Sequence, residues 1–246
     1  MRKAQLILSM ALILLGLSVE GGQTQEIPEH PVKNALCLTQ PLKGYPDPLY
    51  SMDLYTTVPL GATEFDISVY DGGQGLMVEV YDSGGNLICA KKGFSDDNWD
   101  TLAVPIKKAV KPETYRIHVG GELKSDEYPK GNIFWLDIST GTLYSYELQF
   151  KDAQDVMTWV EVPWNISEFC LSTYDMDNRG AIYITSPDKA RYGPFKPSGY
   201  NLWSDIHVST EGKGGLWCVE FVNLLDAGVF RVEAGGKSLK LHLSRA

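Results

Sequence analysis

Polar and apolar residues alternate with a period of two along most of this chain. In residues 64–70 (EFDISVY), Phe65, Ile67 and Val69 alternate with Asp66, Ser68 and Tyr70. In residues 113–119 (ETYRIHV), Tyr115, Ile117 and Val119 alternate with Arg116 and His118. In residues 142–150 (TLYSYELQF), Tyr144, Tyr146, Leu148 and Phe150 alternate with Leu143, Ser145, Glu147 and Gln149. Such alternation places one set of side chains on a core face and the other toward solvent, the pattern of a half-buried strand. Turn residues punctuate the runs at DGGQG (71–75), DSGGN (82–86), SPDK (186–189) and EGKGG (211–215),. No window of helical length keeps an apolar stripe of period 3.6,. The pattern predicts an all-β protein built from antiparallel strands.

Self-comparison organises these strands into two copies. Residues 58–71 (VPLGATEFDISVYD) and 162–175 (VPWNISEFCLSTYD) are identical at seven of fourteen positions, among them Phe65/Phe169, Tyr70/Tyr174 and Asp71/Asp175. Gly75 meets Gly180, and Trp99 meets Trp203. With a longer insertion in the second copy, YRIHVGG (115–121) then aligns with FRVEAGG (230–236), and IFWLDIS (133–139) with LKLHLS (239–244). Copies of this length are domain-sized. The expectation is two tandem antiparallel β-sandwich domains, jelly-roll or immunoglobulin-like, over 37–140 and 141–246, each with roughly seven to nine strands.

Composition narrows the classes. Aromatics reach 11%, and the 24 Gly and 13 Pro suit strands and turns rather than helices,. The net charge of −9 argues against nucleic acid as a partner, because phosphate binding needs clustered Lys and Arg,. Arg2 and Lys3 precede an almost wholly apolar stretch from Ala4 to Val19, which Glu20 ends. This reads as a secretory signal peptide over 1–25, followed by a flexible lead-in over 26–36. The stretch is shorter than the roughly 20 residues of a membrane span. A secreted or periplasmic protein is expected, with no membrane span after signal cleavage. In such a compartment Cys37, Cys89, Cys170 and Cys218 permit two disulfides,. Bridges within each copy would join Cys37 to Cys89 and Cys170 to Cys218. The second pairing requires the strands of Cys170 and Cys218 to be neighbours in one sheet.

GLMVEVYDSGGNLI (75–88) and KPETYRIHVGG (111–121), with their partners in the second copy, resemble the pre-peptidase C-terminal family. These are small β-sandwich modules appended to secreted bacterial and archaeal hydrolases. The resemblance covers roughly 58–139 and 162–244 and implies a non-catalytic accessory or binding domain. No protease domain accompanies it in this sequence.

Candidate chemistry is sparse. Neither G-x-S-x-G nor H-E-x-x-H occurs,. His30 lies in the lead-in, and His118, His207 and His242 read as outward strand residues. The glycine runs sit between strands and read as hairpin turns, because a phosphate cradle needs a helix N-terminus behind it. Two oxygen-rich loops suit calcium: Asp96, Asp97 and Asp100 in one, and Asp175, Asp177 and Asn178 in the other,. The same residue types also simply favour turns. Trp99 and Trp203 recur at equivalent positions and read as structural. Trp135, Trp159, Trp164 and Trp217 are not matched between the copies, and flat exposed rings of this kind could stack on sugars. Asn165-Ile166-Ser167 is an N-glycosylation sequon,.

The expected function is therefore non-catalytic: an exported protein that binds a glycan, a peptide or a cell-surface component. A structural role in a surface or envelope assembly is the alternative, and an enzyme of unrecognised type is a further one. An open strip of coplanar aromatics would favour the glycan.

Overall fold

The computed structural model describes residues 36–38, 51–71, 75–95, 98–121, 132–150, 156–174, 180–197, 199, 202–223 and 228–243. They form nineteen strands and no helix, all paired antiparallel, in two sheets. The first sheet runs β15 (Trp203–Ser209), β12 (Glu168–Tyr174), β17 (Gly228–Ala234), β10 (Glu147–Phe150), β1 (Leu36–Leu38), β8 (Asn132–Ile138), β3 (Glu64–Asp71), β6 (Trp99–Pro105), with the short β18 (Lys237–Ser238) added to β17. The second runs β14 (Arg191–Phe195), β13 (Ala181–Thr185), β16 (Gly215–Val222), β11 (Val156–Val162), β19 (Leu241–His242), β9 (Leu143–Ser145), β2 (Ser51–Val58), β7 (Glu113–Gly121), β4 (Leu76–Tyr81), β5 (Leu87–Lys92).

Each order reads the same from either end once every strand is replaced by its repeat equivalent. The first sheet changes copy between β10 and β1, where Leu36 faces Phe150. The second changes copy between β19 and β9, where Leu241 faces Ser145 and His242 faces Tyr144. Both sheets therefore run on across the boundary near residue 140, and the strands of both copies belong to one compact unit.

The alternation sets the core. Phe65, Ile67 and Val69 point inward from β3, as Phe169 and Leu171 do from β12, and all five are essentially inaccessible. Opposing rings interlock between the sheets: Phe65 against Tyr115 at 5.5 Å and, at the repeat-equivalent place, Phe169 against Trp217 at 5.3 Å. Phe230 packs on Phe221 at 4.7 Å and on Phe150 at 5.4 Å. One apolar cluster contains side chains of both copies. At one margin the sheets are latched together, since Lys91 on β5 pairs with Asp100 on β6 at 2.8 Å. Gly141, at φ +84°, lets the chain pass close to β2 on its way into β9; a Cβ there would stand 2.6 Å from the Thr57 carbonyl oxygen,.

The structure corrects the repeat alignment. β7 corresponds to β16, not to β17: Tyr115 faces Thr56 as Trp217 faces Val160. β17 corresponds to β8, and β19 to β9, so the second copy needs no long insertion. The expected matches slipped by one strand because Y/F-R-I/V-x-V/A-G-G recurs where the topology does not.

Residues 142–150 also differ from the expected single strand. The alternation breaks at Tyr146, where the chain leaves the second sheet as β9 and enters the first as β10. Leu148 and Phe150 go to the core, whereas Tyr144 and Tyr146 stay on the outer face of the second sheet.

The disulfide expectation fails. None of Cys89, Cys170 and Cys218 is in a disulfide. Cys170 faces outward from β12 in the first sheet, and Cys218 faces outward from β16 in the second, so the two thiols lie on opposite outer faces of the sandwich. The required neighbouring strands do not exist, because β12 pairs with β15 and β17, and β16 with β11 and β13. With Cys89 a thiol, its bridge to Cys37 is likewise not formed. The expected signal peptide (1–25) and lead-in (26–36) lie outside the described residues, apart from Leu36, which opens β1.

Phe65→Ala and Phe169→Ala should each lower unfolding stability by about 3–5 kcal/mol. Because the core is shared, denaturant melts of both variants should remain single transitions, followed by tryptophan fluorescence and circular dichroism together. Thiol titration of the unfolded protein without reductant should find Cys89, Cys170 and Cys218 reactive.

Candidate functional site

The seam of the second sheet gathers aromatic and charged side chains of both copies on one face. Side chains directly opposite one another on antiparallel strands share a face. Tyr55 on β2 faces Tyr144 on β9, Tyr144 faces His242 on β19, and His242 faces Trp159 on β11. Four rings thus stand in one line across four strands on the outer side of the second sheet, the middle two, Tyr144 and His242, buried and the outer two, Tyr55 and Trp159, half-buried. Tyr55 and Trp159 are repeat equivalents, as are Tyr144 and His242, so the line results from joining two copies of one pattern. Tyr144 stacks on Tyr55 at 5.6 Å. Tyr146 stands edge-on to both, at 5.9 and 5.4 Å, and is the exposed member at 37%. The line continues past Tyr55 to Arg116 on β7 and Tyr81 on β4. The Arg116 guanidinium lies 4.1 Å from the centre of the Tyr81 ring, and the Tyr81 hydroxyl donates to Glu79 at 2.7 Å. Six strands at ordinary spacing make this a strip of about 24 Å.

Charged groups flank the rings in pairs. Asp53 accepts from Arg116 Nη1 at 3.2 and 3.3 Å and meets His118 Nδ1 at 2.7 Å. Partial burial pushes the Asp53 carboxyl up, but the His118 bond and the Arg116 charge outweigh it and hold Asp53 below its ordinary value. On the far side of the seam, Glu161 meets Lys240 at 3.4 Å and His242 Nε2 at 3.3 Å, and Lys240 sits 5.0 Å from the Tyr144 ring centre. Burial and the neighbouring Asp53 charge raise the Tyr55 hydroxyl, and burial followed by Tyr144 raises that of Tyr146. Both hydroxyls are therefore protonated donors at neutral pH. A recess of about 360 Å³ opens at one end of the strip, lined by Tyr55, Asp82, Ser83, Gly85, Thr114 and Arg116. Its rim is the turn after β4, where Asp82 Oδ1 accepts from the backbone of Gly84 and Asn86 at 2.9 and 2.8 Å.

Of the four tryptophans singled out from the sequence, only Trp159 belongs to the strip. Trp217 is fully inaccessible in the core, with its Nε1 donating to the Lys213 carbonyl, so it has no face for a ligand. Trp135 is buried on the outer side of the first sheet against Tyr70 at 5.2 Å. Trp164 is 76% exposed at the turn after β11, where it lies over Gly214. Trp99 and Trp203 each pack on the tyrosine opposite, Tyr70 and Tyr174, at repeat-equivalent positions. Of the calcium candidates, Asp96, Asp97, Asp175, Asp177 and Asn178 lie outside the described residues, and Asp100 is held by Lys91. Among the described residues no group of three or more His, Cys, Asp or Glu is placed to hold a metal.

Sequence reasoning missed Tyr55, Tyr144, Tyr146, Asp53 and Arg116 as site residues. The available signal was tyrosine at outward positions of neighbouring strands, but it is readable only once the seam pairing is known. No family model matches the chain, and no curated protein matches it. No helix among the described residues is long and apolar enough to cross a membrane.

His242 supplies a pH test. Burial pushes its imidazole below the ordinary value, against the opposing pull of Glu161. As pH falls below about 6.5, the unfolded chain takes up a proton that the folded one resists, so stability is lost through that window. The melting temperature of the native protein should drop between about pH 7 and pH 5 relative to His242→Gln, with the two differing by a constant amount above about pH 7.5.

Proposed function

We propose that the protein is an exported, non-catalytic binding protein whose ligand is a glycan, held on the outer face of the second sheet. The observation that carries this reading is the line Tyr81, Arg116, Tyr55, Tyr144, His242, Trp159, with Tyr146 standing above it. Sugar rings present apolar faces that stack on aromatics and hydroxyl edges that need both donors and acceptors. Tyr55 and Tyr146 supply rings and donors, Arg116 adds donors, and Asp53 and Glu161 supply acceptors. A shallow strip on which Tyr55, Tyr146 and Trp159 reach the surface above the buried Tyr144 and His242 suits a chain-like ligand better than the enclosed pocket of a small molecule,. The overall acidity of the protein favours a neutral glycan over an anionic one,. Export rests on the N-terminal apolar segment and the positive residues before it,.

A glycan and polysaccharide array probed with the mature protein tests the reading. Neutral glycans should be retained. Tyr146→Ala should weaken the strongest of them by about tenfold, the loss of one aromatic contact of roughly 1.4 kcal/mol. Arg116→Ala should weaken it further, and Trp164→Ala should leave it unchanged.

A further inference from the structure

Each sheet ends in two edge strands, and an edge presents unpaired N–H and C=O groups to any chain able to pair with them,. All but one of these edges are guarded. β5 bears Lys91 and Lys92, and its pairing with β4 shifts register between Val80 and Tyr81. β14 contains Pro194, which has no N–H, and its pairing with β13 shifts between Ile182 and Ile184,. β6 ends in Pro105, and Lys91 reaches over from the other sheet to Asp100 at 2.8 Å and to the Thr101 carbonyl oxygen at 3.4 Å. β15 is the repeat equivalent of β6 and has none of these devices. It runs in unbroken register with β12, from Trp203 opposite Tyr174 to Ser209 opposite Glu168, without Pro, Gly or Lys. Arg191, which opens β14, stays on its own sheet, held by Glu220 at 3.1 Å and the Tyr183 ring at 4.0 Å. Among the described residues β12 is the only strand that pairs with β15.

The sequence of β15 suits pairing with itself. Trp203, Asp205, His207 and Ser209 are exposed on the outer side, and Ile206 and Val208 are buried on the core side. An antiparallel pair with its twofold axis at Ile206 sets Ile206 against its own copy and Trp203 against the small Ser209. It sets Asp205 against His207 of the second copy, twice. Ser172 donates to Asp205 Oδ1 at 2.6 Å, and His207 Nδ1 meets Glu168 at 3.1 Å, so Asp205 Oδ2 and His207 Nε2 are left for this contact. A register displaced by two residues opposes Asp205 to Asp205 in one direction and His207 to His207 in the other, and like groups directly opposite are unfavourable. A displacement by one residue turns the core side outward.

We propose that β15 is a self-association edge, on which a second copy of this chain pairs its own β15 antiparallel about Ile206. The first sheet then continues through both molecules. Main-chain hydrogen bonds supply affinity, and the Asp205–His207 pairs select the register. The same patch serves both copies, so the assembly closes at two. The aromatic strip lies on the other sheet, and the dimer forms whether or not that strip binds a glycan.

Sedimentation velocity of the protein at neutral pH, over chain concentrations from about 1 μM to about 1 mM, should show a reversible monomer–dimer equilibrium. Backbone amides of 203–209 should exchange more slowly with deuterium at the upper concentration, with those of β6 unchanged. Asp205→Lys removes the acceptor and His207→Glu sets acid against acid. Each should weaken the dimer by about tenfold, because every mismatch occurs twice. The two substitutions together restore opposite charges across the axis and should return the dimer to within about threefold of the native value. Both positions are exposed, so all the variants should fold, which circular dichroism checks. A monomer throughout the concentration range, protection that falls elsewhere than on β15, or a double variant no tighter than the single ones would overturn the proposal.

Discussion

The molecule depends on two antiparallel joins. An apolar sheet face must be covered, and in this protein each copy of the repeat contributes half of both sheets. The pairings of β1 with β10 and of β9 with β19 make each sheet continuous, so one core serves both copies. Phe65 against Tyr115 and Phe169 against Trp217 are the same contact made twice, one on each side of the joins. Their burial is the dominant favourable term, because apolar area removed from water outweighs any single polar contact on the surface.

The join that completes the core also creates the surface strip. β9 and β19 are very short, and their pairing places Tyr144 against His242 with Tyr55 and Trp159 outside them. Neither copy alone contains four rings in line. Duplication followed by fusion along a strand edge produces a composite face from two halves, and covers two edges that would otherwise be bare for aggregation. Tyr146 follows from the same event. The chain must leave the second sheet to enter the first, and the residue at that crossing is freed from both ladders and stands above the row.

Electrostatics adapts this face rather than holding it up. The three described histidines, His118, His207 and His242, each meet a carboxylate, yet their settings differ. His207, on the edge strand β15, and Glu168, on its neighbour β12, are both well exposed, and an ion pair there contributes little,. His242 is buried at the join and is disfavoured as a cation. His118 is half-buried and anchored through Nδ1 by Asp53.

Much of the fold was legible in the residues. Period-two alternation, glycine-rich turns and the VP-x-x-x-x-EF-x-x-S-x-YD repeat determined an all-β chain of two like halves, and the inward phase of Phe65 and Phe169 followed from alternation alone. Those are local properties, decided by which face each side chain takes along a strand. The pairing partners of distant strands are not local. Alternation in residues 142–150 looked unbroken because Tyr144, Tyr146, Leu148 and Phe150 all have apolar rings or chains, and periodicity does not register a chain that changes sheets mid-run. The similarity of YRIHVGG to FRVEAGG misled the alignment for the same reason, since side-chain pattern does not encode strand order. The placing of Cys170 and Cys218 in different sheets, the burial of Trp217 and the gathering of Tyr55, Tyr144, His242 and Trp159 into one row were decided only by the tertiary structure, because each depends on pairing between strands distant in sequence, within the second half for the first two and across the join of the halves for the row.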